Sequence, residues 1–329
     1  VYPACVHLDP VAYVEGRLRV LDQRALPNQQ IWLDLSTWQQ AAEAIETMAV
    51  RGAPLIGVAA AYALAMAHKT GEINEAARAL ERTRPTAVNL FHAIRRVENA
   101  PDPLAEAHAI KNEEIAANQA IGNFGASLLA KPSTIITICS TGSLATPGIG
   151  TALGIIKTAF QKNLLKEAIL LETRPRLQGL KLNAWELSQE NIPFRVIADG
   201  AAAAFMSAHS VDMVAAGADR IAANGDTANK IGTLMLAIVS DTFKIPFVIA
   251  APTSTIDSKI PSGEQIPIEQ RAASEIVEIA QTRIAPENVR VWNPAFDVTP
   301  ARLISHIVTE RGVFAPPYDL GAIRSSAEK

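Results

Sequence analysis

Two cysteines, Cys5 and Cys139, are all that the 329 residues contain. So sparse a supply excludes a disulfide framework and points to a reducing compartment. Blocks of like charge are missing as well: 30 Lys and Arg stand against 33 Asp and Glu, a formal net charge of −3. That balance argues against general binding to nucleic acid or to an anionic membrane surface, while leaving room for a local basic pocket. No apolar run is long. GVAAAYALAMA, bounded by Arg51 and His68, is too short and alanine-rich to span a bilayer. The opening VYPACVHLDP lacks the basic-then-apolar order of a secretory signal, so a soluble, cytoplasmic protein is expected.

What the chain does have is apolar bulk. Apolar residues make up 49% of it against 19% charged, enough for a sizeable core and too many for wholesale disorder. The length allows about two ordinary domains, and two rhythms divide it into 1–130 and 131–329. In the first part, VEGRLRVLDQRALPNQQIWLDL alternates apolar and polar residues around Leu26–Pro27–Asn28, which predicts a few short antiparallel strands. Ser36 then offers an N-cap for a helix through STWQQAAEAIETMAV, with Ala41, Ile45 and Met48 at helical spacing. Further helices are expected over 54–69, 73–82, 86–98 and 103–130. From Ser133 the rhythm changes. STIITIC, EAILLE, PFRVIA, VDMVAAGA and IPFVIAA are short β-branched or aliphatic runs, separated by helix-compatible segments of about a dozen residues. Such βαβ units build a buried parallel sheet with helices on both faces: an α/β domain behind a smaller, mostly helical N-terminal one.

Ligands of such sheets bind beyond the carboxyl ends of the strands. The first strand ends at Cys139, before a loop rich in Ser, Thr and Gly whose amides lead into a helix. Cys139 then sits near a helix N-terminus, an arrangement suited to an anion and to a thiolate; a small buried cysteine that merely packs is the plainer alternative. Glu172, Arg174 and Arg176 at the second strand end suit an ion-pair cluster, with Gln178 as a neutral donor and acceptor. Asp199 at the third suits an acidic N-cap. At the fourth, GADRIAANGDTANKIGT crowds Asp219, Arg220, Asn224, Asp226, Asn229 and Lys230 beyond an apolar strand, more polar groups than turns and caps require. Asn229 and Lys230 are expected to open the next helix, where a lysine opposes the dipole unless an anion neutralises it.

Arg51–Gly52–Ala53–Pro54 opens the small, apolar run RGAPLIGVAAAYALAMA. Pro54 suits the first helical position, and Gly52 lets the backbone come close to a ligand. Free amides at that helix start, with Arg51 beside them, form a cradle for phosphate. Arg84, in TRPTAVNLF, again precedes a proline and a helix start. With Lys230, these residues describe a cleft between the domains that grips a phosphorylated small molecule.

LDQRALP, VRGAPLIGVAAAYALA, TRPTAVNLF, ATPGIGTALG, ETRPRLQGLKLNAWEL, GADRIAANGDTANKIGT, AAPTSTID and NPAFDVTP together resemble the methylthioribose-1-phosphate isomerase family, nearly end to end. That family shares its superfamily with ribose-1,5-bisphosphate isomerase and the regulatory subunits of the translation initiation exchange factor. The resemblance implies a Rossmann-like C-terminal domain, a homodimer, and conversion of an aldose 1-phosphate to a ketose 1-phosphate in methionine salvage, with no cofactor and no metal. It implies Cys139 and Asp219 as the catalytic residues, a choice between Asp219 and Asp226 that the residues alone leave open. Substrate contacts are implied on Arg51, Gly52 and Ala53, on Arg84, on Gln178, and on Asn229 and Lys230.

Where the family has His and Asn around the cysteine, Ile138 and Ser140 stand here. ADGAAAAFM replaces a segment that usually reads TDNMAAHLM or TDSMAAHLM, so Gly200 and Ala204 stand for Asn or Ser and for His. These changes bear on which sugar is bound: 5-methylthioribose 1-phosphate, ribose 1,5-bisphosphate or 5-deoxyribose 1-phosphate. Two further readings compete. Gly148, Gly150 and Gly154 follow a strand and Glu172 ends the next, roughly as in a nicotinamide-dependent oxidoreductase, but the glycines come after a long STGSLAT loop rather than in a tight turn. The other is a non-catalytic regulatory subunit or sugar-phosphate sensor on the same fold. Retention of both Cys139 and Asp219 favours the enzyme.

Overall fold

Alternation becomes strand at the start of the chain. In the computed structural model, which describes residues 8–84 and 87–320, Val11–Val14 (β1), Arg17–Leu21 (β2) and Trp32–Leu35 (β3) form one antiparallel sheet in sequence order. Leu18 and Val20 face inward while Arg17 and Arg19 are exposed, the period of two that a half-buried sheet requires. Cys5, on which the redox reading partly rests, and the start of the opening segment lie outside the described residues.

Trp38–Glu46 (α1) is capped by Thr37 and not by Ser36. Gln40 stands three residues after Thr37, so the Thr37 hydroxyl accepts the Gln40 amide at 3.3 Å while Gln40 Oε1 accepts the Ser36 and Thr37 amides. This reciprocal box needs the spacing that only Thr37 has. Ala53–Thr70 (α2) is apolar on all sides and buried from Leu55 through Ala67, as a helix without a polar face must be. It is enclosed by α1, by Ile73–Thr83 (α3), by Val88–Glu98 (α4) and by Pro103–Ala126 (α5). Helix α5 belongs to both halves. Ala107 and Ile110 pack in the helical core, whereas Ile121 and Ala126 pack with Ile135 and Ile155 of the second half.

From Ser133 the chain alternates strand and helix: Ser133–Thr137 (β4), Ala152–Gln161 (α6), Leu165–Leu171 (β5), Ala184–Gln189 (α7), Phe194–Ile197 (β6), Ala202–Ala208 (α8) and Met213–Ala216 (β7). A hairpin of Arg220–Ala222 (β8) and Thr227–Lys230 (β9) follows, then Thr233–Thr242 (α9), Phe247–Ala250 (β10) and Ile256–Asp257 (β11). Next come the short hairpin Glu278–Ile279 (β12) and Thr282–Arg283 (β13), then Phe296–Thr299 (β14), His306–Thr309 (β15) and Gly312–Phe314 (β16). Seven of these strands make the main sheet, in the order β16-β15-β10-β7-β4-β5-β6. All its pairings are parallel except that of β16 with β15.

Alternate residues of each main strand enter different cores. Ile135, Ala168, Leu170 and Met213 pack with α5 and α6 on one face; Ile136, Ile169, Leu171 and Val214 pack with α8 and α9 on the other. Burial on both faces is why β4, β7 and β10 read as unbroken apolar runs. The strand order reverses between β4 and β7, so the connections leaving them run to opposite faces and leave a crevice at their carboxyl ends, the usual ligand position in such sheets. Cys139 follows β4 and Asp219 follows β7. A small sheet, β11-β8-β9-β14, stands over this end.

The expectation that Asn229 and Lys230 open a helix is therefore incorrect. Both lie in β9, paired with β14 through Lys230↔Phe296 and Asn229↔Asp297. Helix α9 starts only after Gly232, and its first amides are met by a side chain from β14: Asp297 accepts the Gly232 and Leu234 N–H groups at 2.7 and 3.1 Å. An acid serves the positive helix end. Among the described residues, no helix is long and apolar enough to cross a membrane.

A polar tie joins the halves. Asn89 on α4 donates to the Ser254 hydroxyl at 3.0 Å, and Ser254 donates to Glu114 on α5 at 3.3 Å. The other Glu114 oxygen is sealed from solvent without a hydrogen-bond partner. Burial first, and the nearby Glu310 carboxylate second, push the Glu114 carboxyl up to about 7. A folded-state pKa above the unfolded value stabilises the fold below the unfolded value, and that contribution is lost as pH rises through the folded one. The window here runs from 4.5 to about 7, and the loss is on the order of 3 kcal/mol at 1.36 kcal/mol per unit. Glu114→Gln keeps an acceptor for Ser254 and cannot ionise. It is expected to unfold at a higher temperature than the parent at pH 8 and at a similar one at pH 4.5, as differential scanning calorimetry would show.

Candidate active site

A cleft lies where the start of α2 meets the carboxyl ends of the main sheet. Arg51, Gly52 and Ala53 border it at the start of α2, and Arg84 at the end of α3. Cys139, Gln178 and Asp219 reach it from the ends of β4, β5 and β7, and Lys230 from the end of β9. A narrower arm continues past Ser140 and Thr141 and is bordered by Asn229; Arg51, Gly52, Ala53, Cys139 and Asp219 line both spaces. Thr151, which precedes α6, borders that arm with Cys139. The residues singled out from the sequence thus converge from two distant stretches of the chain.

The cleft is cationic. Six arginines and lysines border it against three carboxylates. Asp219 lies among Lys230, Arg51 and Arg84, all of which favour its ionised form, yet desolvation outweighs them and raises its pKa. Lys230 responds in the opposite sense: desolvation lowers its pKa, while the charges of Cys139 and Asp219 resist the fall. Its ammonium donates to the Ala295 carbonyl at 2.9 Å and sits 4.9 Å above the Phe296 ring centroid. Three polar atoms at the cleft and its arm are buried without a partner: Arg51 Nη1, Gln178 Oε1 and Ser140 Oγ. A buried donor and a buried acceptor left open at one cavity mark places where a ligand's oxygen and hydroxyl groups fit.

Asp219 and Asp226, left open above, differ sharply here. Asp226 is a tie within the small sheet, accepting the Gly263 and Ala301 amides at 2.9 and 2.8 Å and the Asn224 side chain at 2.9 Å. These bonds hold its carboxyl below the usual range despite some desolvation. Asp219 borders the cleft, and its backbone amide donates to Ala228 O.

Four local expectations change. Gly52 is the residue preceding α2, with φ +99, and a Cβ built on it would stand 2.5 Å from the Ala145 Cα and carbonyl oxygen. The close approach it permits is to the loop after β4, and not primarily to a ligand. Leu55 N–H donates to the Ala145 carbonyl at 3.1 Å, so one helix-start amide is already engaged. Pro54 stands second in the helix, after Ala53. Asp199 caps no helix of its own. It reaches sideways to accept the Thr173 and Arg174 amides at 2.8 and 2.6 Å, because β5 and β6 are neighbours and their loops lie together. Arg176 pairs with Glu275 at 2.8 Å instead of Glu172, and Arg174 donates to the Pro175 and Ile276 carbonyls.

Sequence reading missed the far rim. Glu269, Arg271 and Glu275 border the cleft, with Arg271 bridging both acids at 2.8 Å. Their segment, IEQRAASEIVE, has no periodicity or motif that would single them out. The loop carrying Ala145 is anchored by a buried group that was also missed: Glu186 accepts the Ser143 and Leu144 amides at 2.7 and 3.0 Å and pairs with the buried Lys157 at 3.1 Å. The atypical residues separate into two groups. Ser140 borders the narrow arm and Ile138 is buried in the core, whereas Gly200 and Ala204 are exposed and border neither space.

The glycines that suggested a dinucleotide loop are filled by protein. A Cβ on Gly148 would meet Asn118 at 2.9 Å, and one on Gly150 would meet the Thr141 carbonyl at 2.4 Å. No space is left there for a pyrophosphate to approach the backbone. Among the described residues, no cluster of three or more His, Cys, Asp or Glu side chains could hold a metal ion.

Residues 49–316 match the initiation factor 2 subunit family. A methylthioribose-1-phosphate isomerase of Anaeromyxobacter dehalogenans is 49% identical over 325 residues, covering 95% of this chain and 96% of the relative. The crystal structure of 5-methylthioribose 1-phosphate isomerase from Pyrococcus horikoshii superposes with a TM-score of 0.90 at 40% identity, covering 98% of this chain and 96% of that one. A translation initiation factor eIF-2B, subunit delta, from A. fulgidus gives a TM-score of 0.86 at 36% identity, with 96% and 98% covered.

Proposed function

For this chain, which belongs to the initiation factor 2 subunit family, we propose the aldose–ketose isomerisation of 5-methylthioribose 1-phosphate to 5-methylthioribulose 1-phosphate. The observation that carries this reading at the level of chemistry is the cationic cleft holding one desolvated carboxyl, a thiol and an unpartnered arginine nitrogen. Arg51, Arg84 and Lys230 suit a phosphate monoester. The helix-start backbone at Gly52–Ala53 and the side chains of Gln178 and Asn229 suit its remaining oxygens and the sugar hydroxyls. We place the domain boundary near residue 130, between α5 and β4, and assign the protein to the cytoplasm as a homodimer.

An aldose 1-phosphate carries its phosphate on the anomeric oxygen, so its ring cannot open as a free hemiacetal does. Asp219, protonated, delivers its proton to the ring oxygen as the bond from that oxygen to C1 breaks. Hydrogen then moves from C2 to C1, and the C2 hydroxyl loses its proton to become the ketone. Two routes accomplish this. Cys139 removes the C2 proton to give an enediol, which is reprotonated at C1; alternatively the C2 hydrogen passes directly to C1 as hydride, with Cys139 positioning the sugar or taking the C2 hydroxyl proton. Solvent deuterium at C1 of the product identifies the first route, and complete transfer of a C2 deuterium to C1 identifies the second.

The direct test is turnover of 5-methylthioribose 1-phosphate beside ribose 1,5-bisphosphate and 5-deoxyribose 1-phosphate. Preferred turnover of the first supports the proposal. Tight binding of any of them without turnover supports the sensor reading, which the likeness to an initiation-factor subunit favours. Arg51→Ala and Lys230→Ala are each expected to raise KM about tenfold or more, since a hydrogen bond between charged groups is worth about 1.5–3 kcal/mol. Unchanged affinity in both variants would rule out the phosphate cradle.

A further inference from the structure

We propose that Thr173 and Asn183 are positioning residues for Cys139, which together hold it in a left-handed backbone conformation at the crevice between β4 and β7. The inference rests on the reading of Cys139 as the thiol acting on the substrate. Cys139 has φ +69. A side chain with a Cβ is disfavoured there, and glycine is the residue that ordinarily fills such a position. This chain keeps a cysteine there, bordering both spaces of the cleft.

The peptide groups around it are held by two fully buried side chains. Cys139 N–H donates to Thr173 Oγ1 at 2.9 Å, and Asn183 Nδ2 donates to the Cys139 carbonyl at 2.8 Å. Asn183 Oδ1 also accepts the Thr141 N–H at 3.3 Å. One amide side chain therefore spans Ser140 and fixes the backbone on both sides of it.

Thr173 is itself left-handed, with φ +67, which is unusual for a β-branched residue. Its hydroxyl donates to the Leu171 carbonyl at 3.0 Å, and Asp199 fixes its amide from the end of β6. The support thus runs across three adjacent strand ends, from Cys139 to Thr173 to Asp199. Closing a strand needs no such arrangement. Two disfavoured backbone conformations bonded to one another at a ligand crevice are the kind of strain that surrounding structure maintains where a side chain must be aimed.

The test uses Thr173→Val, which removes only the hydroxyl, Thr173→Ser, which restores it, and Asn183→Leu. Thr173→Val and Asn183→Leu are expected to lower kcat about tenfold or more, with KM within about twofold, because small misplacements of a reacting group cost rate more than binding. Thr173→Ser should recover most of the loss. Thermal denaturation supplies a readout independent of turnover. With Gly at position 139 the left-handed turn needs no clamp, so Thr173→Val should lower Tm less in the Cys139→Gly background than in the parent.

Equal Tm losses in both backgrounds, or parent-like kcat in Thr173→Val and Asn183→Leu beside an inactive Cys139→Ser, would overturn the positioning role alone. If one of the two variants does not fold, the other decides. Full activity in Cys139→Ser would overturn the reading of Cys139, and the positioning role with it.

Discussion

Asparagine at position 219 is expected to lower kcat about a thousandfold while leaving KM for the sugar phosphate nearly unchanged, the range for loss of a general acid being about 10²–10⁴. The substitution keeps the shape of the side chain and leaves the bond from the residue 219 amide to the Ala228 carbonyl in place. What it removes is the transferable proton. Desolvation raises the Asp219 pKa against the pull of Lys230, Arg51 and Arg84, so the acid form persists above the usual carboxylate range. Activity carried by that form should fall as pH rises through the raised value. The alkaline limb of kcat/KM attributable to Asp219 should therefore be missing in Asp219→Asn. Stopped assays across pH, with isothermal titration to confirm binding, would check both parts. A variant that turns over like the parent would remove Asp219 as the acid.

Gly52→Ala should be nearly as severe, for a different reason. Its φ of +99 is strained for any residue with a Cβ, and the added atom would lie 2.5 Å from the Cα and carbonyl oxygen of Ala145. Backbone cannot rotate away as a side-chain tip does. The Ala145 loop is further held by Glu186 through the Ser143 and Leu144 amides, so the start of α2 would have to shift. That would break the 3.1 Å bond from Leu55 N–H to the Ala145 carbonyl and carry Arg51 out of register with the sheet. Backbone strain plus overpacking together predict a loss of about 3–5 kcal/mol in stability, with a raised KM in any folded fraction. Gly200→Ala is the natural control: nothing lies within 4 Å of its Cβ position, and an effect within about 0.5 kcal/mol is expected. Urea denaturation of the two variants would decide. Parent-like stability in Gly52→Ala would mean that the helix start and the loop are not locked together.

Much of the fold was legible because burial on two faces leaves a local mark. The runs at β4, β7 and β10 are buried throughout and carry few polar residues, and α2 lacks a polar face for the same reason. The β8–β9 hairpin leaves a mark too, Asn224–Gly225 between two short runs, a strong hairpin signal. Reading Asn229 and Lys230 as a helix start leaves no room for it. The cap at Asp297 was not legible, since its acid lies in β14, far along the chain from the helix it serves. The rim acids and Arg271 were hidden for a similar reason: ion pairs form between side chains that folding brings together, and no spacing in the chain encodes them.

The order of residues by itself determined most of the helices and the strands of the main sheet, because periodicity, capping and turn preferences act over a few neighbouring residues. Only the tertiary structure decided that Gly52 touches Ala145, that Asp219 and not Asp226 borders the cleft, and that Cys139 is held left-handed by Thr173 and Asn183. Those outcomes depend on desolvation and on contacts between segments remote in sequence, and both come into existence only when the two halves close on one another.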